Sequence, residues 1–301
     1  MLQEPYASTP IRRLLETRRL EIEDVGIDAY YDFSPAHLFE HFRIETQLAE
    51  KLRTSSPEER RGLYAKLYDE IFSSLPDHPQ LARRADPAAA EEALRRELAV
   101  LAHYLRPDSV YLEVGAGSCR LCLEIAKRVR LAYAVDVSSE IFRGIRAPQN
   151  LRLLISDGVA IDVPSQTVDF AYSNQLLEHL HPDDAVLQVR EIHRILGRGG
   201  AYLCLTPHRF AGPADISRFF SDEPQGLHLK EYTNRELRRL FLSAGFSRVR
   251  LVRRVRGRIV ELPLGLTAVI ERALACLPRR TQRRLSRKLR WLLRIRLIAY
   301  K

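Results

Sequence analysis

Cysteine is scarce in this chain of 301 residues: Cys119, Cys122, Cys204 and Cys276 are all there is. So few thiols in so long a chain make no disulfide framework, and a reducing, cytoplasmic setting is the default. Cys119 and Cys122 are spaced C-x-x-C, but no second C-x-x-C or C-x-x-H accompanies them, which favours plain packing over redox or zinc chemistry. Nor does any His/Asp/Glu group show metal-ligand spacing, so no metal is expected. Long apolar runs are missing as well. The longest, residues 262–270, falls well short of the ~20 residues that cross a bilayer. The opening Met1-Leu-Gln-Glu-Pro5 lacks the basic-then-apolar pattern of a secretory signal. Acidic residues are absent from Arg279 onward, where ten basic ones stand. Those ten equal the whole formal charge of +10, so the rest of the chain is balanced and the basicity belongs to one segment.

What remains is an ordinary globular composition, 46% hydrophobic and 29% charged, which excludes a disordered chain and leaves room for one large α/β domain with an appendage. Residues 1–104 read as a helical extension or cap. Ser34-Pro35 starts one helix with apolar residues at Leu38, Phe39, Phe42 and Leu48. Ser56-Pro-Glu-Glu59 is a capping box leading to Leu63, Leu67, Ile71 and Phe72. A third helix after Pro87 carries Leu94, Leu98, Leu101 and Leu105 on one face. The aromatic group Tyr30, Tyr31 and Phe33 suits a packing cluster or a pocket cover.

From residue 105 to 301 strands and helices alternate, which predicts a parallel sheet with helices on both faces. Strands are expected at 110–114, 131–136, 151–155, 168–173 and 200–205, then near 248–255 and 295–300. Thr233-Asn-Arg-Glu236 is another capping box, and Gly245 ends its helix. Residues 261–291 read as a basic helical insertion. Its Arg280, Arg283, Arg287, Arg290 and Arg294 fall on one face, opposite Leu285, Leu289, Leu292 and Leu293.

The chemistry concentrates at Val110-Tyr-Leu-Glu-Val-Gly-Ala-Gly-Ser118, a buried strand running into a glycine turn and a helix. Gly115 and Gly117 allow close approach of a ligand to the main chain. The dinucleotide fingerprint would place a third glycine where Arg120 stands, and a bulky cation there opposes the close packing that a nicotinamide-dependent oxidoreductase needs. Asp136, 21 residues after Gly115, ends the second strand, where a carboxylate can accept both hydroxyls of a ribose or, alternatively, cap a helix.

With Tyr133-Ala-Val-Asp-Val137, Asp157-Gly158, Val168-Asp-Phe-Ala-Tyr-Ser-Asn174, Leu177-Glu-His-Leu180 and Leu196-Gly-Arg-Gly-Gly-Ala201, the glycine turn resembles the ordered motifs of a class I S-adenosylmethionine-dependent methyltransferase of type 11. The match covers about 105–255 and the last strand. It departs from many members at Cys119, where a third glycine is common. The resemblance implies a Rossmann-like, seven-stranded, mostly parallel sheet with an α-helical N-terminal extension, and S-adenosylmethionine as cofactor. It implies a cofactor site of Gly115, Ala116 and Gly117 with Asp136 and Val137. Asp157 would meet the adenine amino group, Gly158 and Val159 would lie against the ring, and Asn174 and Gln175 would sit near the amino-acid part or the methyl. Glu113 would hold loop amides or the ammonium group.

Methyl transfer is an in-line displacement that needs alignment, exclusion of water and sometimes a base. His179, His208 and His228 are the candidate bases, each also readable as structural; His181, before Pro182, suits a helix cap. The residues after the fourth strand are Ser173-Asn-Gln-Leu176, not the Asn/Asp-Pro-Pro-aromatic motif of enzymes that methylate exocyclic amines of nucleic acids. A small-molecule, glycan or lipid-linked acceptor methylated on oxygen is favoured, with nitrogen and carbon open. The alternative is a noncatalytic module that binds the cofactor and acts through its basic surface. The arginine face at 279–294 has three readings: a solvated helix, a peripheral contact with an anionic membrane at its inner face, and, least favoured, nucleic acid.

Overall fold

The computed structural model describes residues 34–75 and 87–301. Tyr30, Tyr31 and Phe33 lie outside the described residues. Three helices come first, α1 (Pro35–Thr54), α2 (Pro57–Ser74) and α3 (Pro87–Leu101). Ser34 accepts the His37 amide at the start of α1, with proline next in the chain. At α2 the capping box closes both ways: Ser56 accepts the Glu59 amide, and Glu59 accepts the Ser56 amide at 2.8 Å. The core face of α1 is not purely apolar. Beside Leu38, Leu48 and Leu52 it buries His41 and Glu45. Phe42 stacks on Phe220, ring centroids 4.4 Å apart, which ties α1 to the long loop after the fifth strand.

The strands are β1 (Val110–Val114), β2 (Leu131–Asp136), β3 (Leu151–Ile155), β4 (Val168–Asn174), β5 (Leu196–Thr206), β6 (Arg248–Val255), β7 (Arg258–Leu262) and β8 (Ile295–Tyr300). They form one sheet in the order β3-β2-β1-β4-β5-β8-β6-β7. Pairs among the first five are parallel, and β8 runs antiparallel to both β5 and β6. The sheet thus has eight strands where seven were expected. The extra one, β7, is an antiparallel edge formed where the helical insertion was to begin. Arg256 (φ +49°) and Gly257 (φ +82°) make the two-residue turn that folds it back, both left-handed as a hairpin of matching twist requires.

Helices α4 (Arg120–Ala126), α5 (Pro182–Ile195) and α6 (Asn234–Ser243) alternate with the strands, and α7 (Gly265–Ala275), α8 (Arg279–Lys288) and α9 (Arg290–Leu293) precede β8. Gly245 (φ +109°) ends α6 as predicted. Its amide donates to Leu242 O, the Phe246 amide donates to Phe241 O, and the two phenyl rings meet at 5.9 Å.

The alternation of β1 divides the interior. Val110, Leu112 and Val114 join the core beneath α1, α2, α5 and α6, while Tyr111 faces the core with α3 and α4. Strand order reverses between β1 and β4, so a ligand crevice opens at their carboxyl ends.

The basic segment differs from the single arginine face expected. Leu289 interrupts the helix between α8 and α9. Leu285, Leu289 and Leu293 pack with Phe210 and Leu274 in a satellite core, so part of the leucine face is covered by the protein, while Leu292 of that face is outside the cluster. Arg279 and Arg283 turn back to Glu223 and Asp222, while Arg284, Lys288, Arg290 and Arg294 are exposed.

Candidate active site

Strand β1 delivers the glycine turn into the crevice. Gly115 and Gly117 have φ of +74° and +51°, and Cys119 enters α4 at +55°. Cys119 occupies the position where the resembled family often has glycine, and it adopts the backbone that glycine would adopt. A Cβ on Gly115 would come within 3.2 Å of Leu176, so the turn has room for backbone but little for a side chain. The Gly115 and Ala116 amides donate to Val135 O. Asp136 braces the same turn from the end of β2. Its Oδ2 accepts the Gly117 amide at 2.9 Å and its Oδ1 accepts the Val137 amide at 2.8 Å. Asp136 therefore caps no helix here and stands at the rim beside the glycines.

Of the two roles expected for Glu113, holding loop amides or the cofactor's ammonium group, the first is not what its contacts show. The pleat turns it under α4, where it is 6% exposed and accepts the Cys122 thiol at 2.9 Å and, at 3.5 Å, the Tyr111 hydroxyl. Burial pushes its pKa up to about 8, against the opposing effect of the Cys122 and Tyr111 bonds. Cys119 and Cys122 are both buried, and burial pushes the Cys119 thiol up to about 12, which suits packing and not redox chemistry. Arg120 does not obstruct α4. Its side chain is exposed and reaches toward Glu91 of α3 at 3.9 Å, so the packing argument made from it does not hold.

Asp157 folds its own loop: Oδ1 accepts the Val159 and Ala160 amides at 2.9 and 2.7 Å, and Oδ2 lies 3.6 Å from Arg61 of α2. Gly158 (φ +93°) is pressed by Tyr64 of α2, whose ring would lie 2.7 Å from a Cβ there. Asn174 donates to Glu97 of α3 at 2.8 Å. Burial raises the Glu97 pKa. Gln175, in the left-handed region at φ +55°, presents an exposed side chain at the end of β4. Val137 is half-buried behind Asp136.

The histidines part company. His181 caps α5 by accepting the Asp183 amide, as predicted. His208 is locked in a buried knot: Nε2 donates to Glu271 at 2.9 Å and Nδ1 accepts the Phe210 amide. Glu271 also accepts from Asn234 and Arg235, so His208 joins α7 to the start of α6. Both its ring nitrogens serve the fold. His179 and His228 instead face each other, ring centroids 4.8 Å apart and nearly perpendicular. His179 donates from Nδ1 to Leu227 O at 3.1 Å, which leaves Nε2 as the accepting nitrogen. His228 pairs through Nδ1 with Glu231 at 2.8 Å. Burial alone would lower the His228 pKa, but Glu231, Asp215 and Glu178 lift it to about 9. Burial pushes Asp215 up to about 6.

Beside them stands Glu178, a residue given no role above although its motif was noted. It is fully buried, its Oε2 accepts the Thr206 hydroxyl at 2.8 Å, and its Oε1 has no hydrogen-bond partner among the described residues. Burial pushes its pKa up to about 7. Glu178, His179 and His228 bring one ligand atom each within 4.8 Å of the others, where the sequence spacing suggested no metal cluster. The adjacent pair Glu178-His179 after β4 and the spacing His228-x-x-Glu231 were the available signals. A small cavity lies against His179, lined by Leu52, Tyr64, Leu67, Tyr68 and Leu227.

The chain matches the model of a family described as a methyltransferase domain over residues 87–251. It is similar to a protein of Pyrobaculum aerophilum named a probable ribosomal RNA small subunit methyltransferase A. The two are 29% identical over a region that is 36% of this chain and 57% of that protein. The chain therefore spans little more than half the length of that relative. Among solved structures it resembles the protein in complex with the Haloferax volcanii Trm112 methyltransferase activator. That likeness has a TM-score of 0.50 at 16% identity, over 73% of this chain and 96% of the other. An S-adenosylmethionine dependent methyltransferase of Mesorhizobium loti aligns with a TM-score of 0.47 at 15% identity, over 68% and 97%.

Proposed function

The chain belongs to the methyltransferase domain family and uses S-adenosylmethionine, and on that premise we propose that it methylates an oxygen of a small-molecule, glycan or lipid-linked acceptor. The observation that carries the acceptor reading is His179, whose ring lines a small cavity walled by apolar and tyrosine side chains and whose Nδ1 is taken by Leu227 O. Such a wall favours an acceptor with an apolar body, and a ring nitrogen of fixed tautomer suits a hydroxyl that must give up a proton. The Pyrobaculum relative is named for ribosomal RNA, but Ser173-Asn-Gln-Leu176 here lacks the proline pair of exocyclic-amine methylation.

The residues present fit the cofactor. Gly115 and Gly117 both take positive φ, which keeps the turn free of side chains, and Asp136, which accepts the Gly117 amide, stands beside it with oxygens able to take ribose hydroxyls. Asp157 and Gly158 would lie along the adenine, and Asn174 and Gln175 at the amino-acid end. When bound, the cofactor supplies a methyl group on a positively charged sulfur. The α2 residues Tyr64, Leu67 and Tyr68 keep water from the cavity, while Leu176 borders the turn. His179 would take the acceptor's hydroxyl proton at Nε2, leaving the oxygen able to accept the methyl that the cofactor supplies when bound.

Calorimetric titration with S-adenosylmethionine tests the site. Asp136→Ala removes two charge-assisted hydrogen bonds of about 1.5–3 kcal/mol each, at least about a hundred-fold in affinity. Unchanged binding would remove the assignment. Incubation of cellular small-molecule, glycan and lipid fractions with isotopically labelled cofactor then identifies the acceptor atom, and a product labelled on nitrogen would overturn the oxygen reading.

A further inference from the structure

We propose that Glu178, His179 and His228 bind one divalent first-row transition-metal ion, which holds the acceptor's oxygen; this rests on the oxygen acceptor proposed above but replaces His179 as the base, because its Nε2 cannot both coordinate and take a proton. The three side chains come from two loops at the same rim. Glu178 and His179 sit in the single 3-10 turn after β4, and His228 lies in the long loop after β5. One donor atom from each is within 4.8 Å of the others. Two ligands ~2.1 Å from a tetrahedral ion are about 3.4 Å apart, so side-chain adjustments of about 1.4 Å close the site.

Each ligand already has the outer partner that a metal site needs. His179 donates through Nδ1 to Leu227 O, and His228 engages Glu231 through Nδ1, so each ring would coordinate through Nε2, the metal displacing the proton that the carboxylates otherwise hold on His228. Thr206 holds one oxygen of Glu178. The other, Oε1, is buried without a hydrogen-bond partner among the described residues. A carboxylate oxygen stranded in that way costs about 1–3 kcal/mol or more unless something positive meets it. The surroundings are rich in carboxylates, with Glu231 at 2.8 Å from His228 and Asp215 accepting the His228 amide at 3.3 Å. A dication offsets that charge. Two imidazoles and one carboxylate suit zinc, cobalt, manganese or iron, whereas calcium and magnesium prefer oxygen donors throughout.

The site adjoins the chemistry. Leu176, two residues before Glu178, lies against Gly115 of the cofactor turn, and His179 borders the cavity. With three protein ligands the ion keeps open positions for the acceptor. Coordination lowers the pKa of its hydroxyl, whose proton leaves to water in place of His179. The oxygen then attacks the methyl carbon as the carbon–sulfur bond breaks and its electrons return to sulfur.

The test uses the full chain, stripped with a chelator and titrated with cobalt(II) alone, followed by visible absorption and by metal analysis after dialysis. One equivalent is expected, with Glu178→Gln and His228→Ala each weakening binding at least about a hundred-fold. Circular dichroism reports whether each variant is folded, and His179→Gln substitutes for one that is not. No binding by the folded wild type overturns the proposal, and so does cobalt held equally by the variants, which would place it at Cys276 or the His37–His41 pair. S-adenosylmethionine affinity and methyl transfer are measured on the stripped protein. If both persist without metal, the proposal fails while the oxygen-methylation reading stands.

Discussion

Replacing Arg60 by methionine should cost far more than the loss of an ordinary surface arginine. Arg60 of α2 and Asp184 of α5 are 4% and 2% exposed, and they meet twice, at 2.6 Å through Nε and 2.9 Å through Nη2. Tyr64 adds its hydroxyl to the same carboxylate at 2.6 Å, and Arg60 Nη1 donates to Ser55 O at 2.7 Å. Methionine keeps most of the stem but strands a buried carboxylate. Removing one partner of such a pair costs about 3–5 kcal/mol. At about 2 °C per kcal/mol for a chain of this size, the melting temperature should fall by about 6–10 °C. Burial alone would raise the Asp184 pKa, but Arg60 and Tyr64 hold it below the usual carboxylate range. The pair's contribution is therefore complete above the unfolded value of about 3.9 and disappears as pH falls through the folded one. Thermal melts of Arg60→Met, Asp184→Leu and the double variant form the cycle, and the double variant should be no less stable than Arg60→Met. A loss below about 1 kcal/mol, or strict additivity, would show that α2 does not depend on this pair.

Other consequences can be measured alongside. Glu113 binds a proton more tightly when folded, so stability should fall as pH rises from about 4.5 to 8 and level off above; Glu113→Gln should flatten that slope, and an unchanged slope would refute it. Cys119→Gly should lie within about 1 kcal/mol of wild type, since relief of a left-handed residue offsets loss of a small buried side chain, whereas Cys119→Val should cost more than about 2 kcal/mol by urea denaturation. His208→Ala should destabilise by about 2–3 kcal/mol while leaving S-adenosylmethionine affinity unchanged, because the ring serves Glu271 and not the rim; a selective loss of affinity would reverse that. If the exposed cations meet anionic lipid, reversing Arg284, Lys288, Arg290 and Arg294 to glutamate should abolish flotation with anionic vesicles, and equal flotation would exclude that contact.

Local signals were the legible ones. Ser56 with Glu59 and Thr233 with Glu236 define helix starts within four residues, and both boxes form. The run Val110–Val114 and its glycines placed the crevice. Contacts between distant segments were not legible, because nothing near Arg60 in the sequence announces Asp184, 124 positions later. For the same reason His179 and His228 looked like two separate candidates. The edge strand β7 was hidden by its turn, since Arg256 is an uncommon residue at a position that asparagine or aspartate usually fills. The leucines of residues 285–293 carried the right period for an interfacial helix, but period alone does not say whether protein or lipid covers them.

Tyr64 lying on Gly158 means that the leading helices are one wall of the pocket. Four of the six residues around that hollow, Leu52, Tyr64, Leu67 and Tyr68, precede position 87, where the shared family region starts. On the proposed reading, these helices would shape the acceptor's side of the pocket and the family region the cofactor's side. Transplanting these helices between relatives should move acceptor range and leave cofactor use untouched.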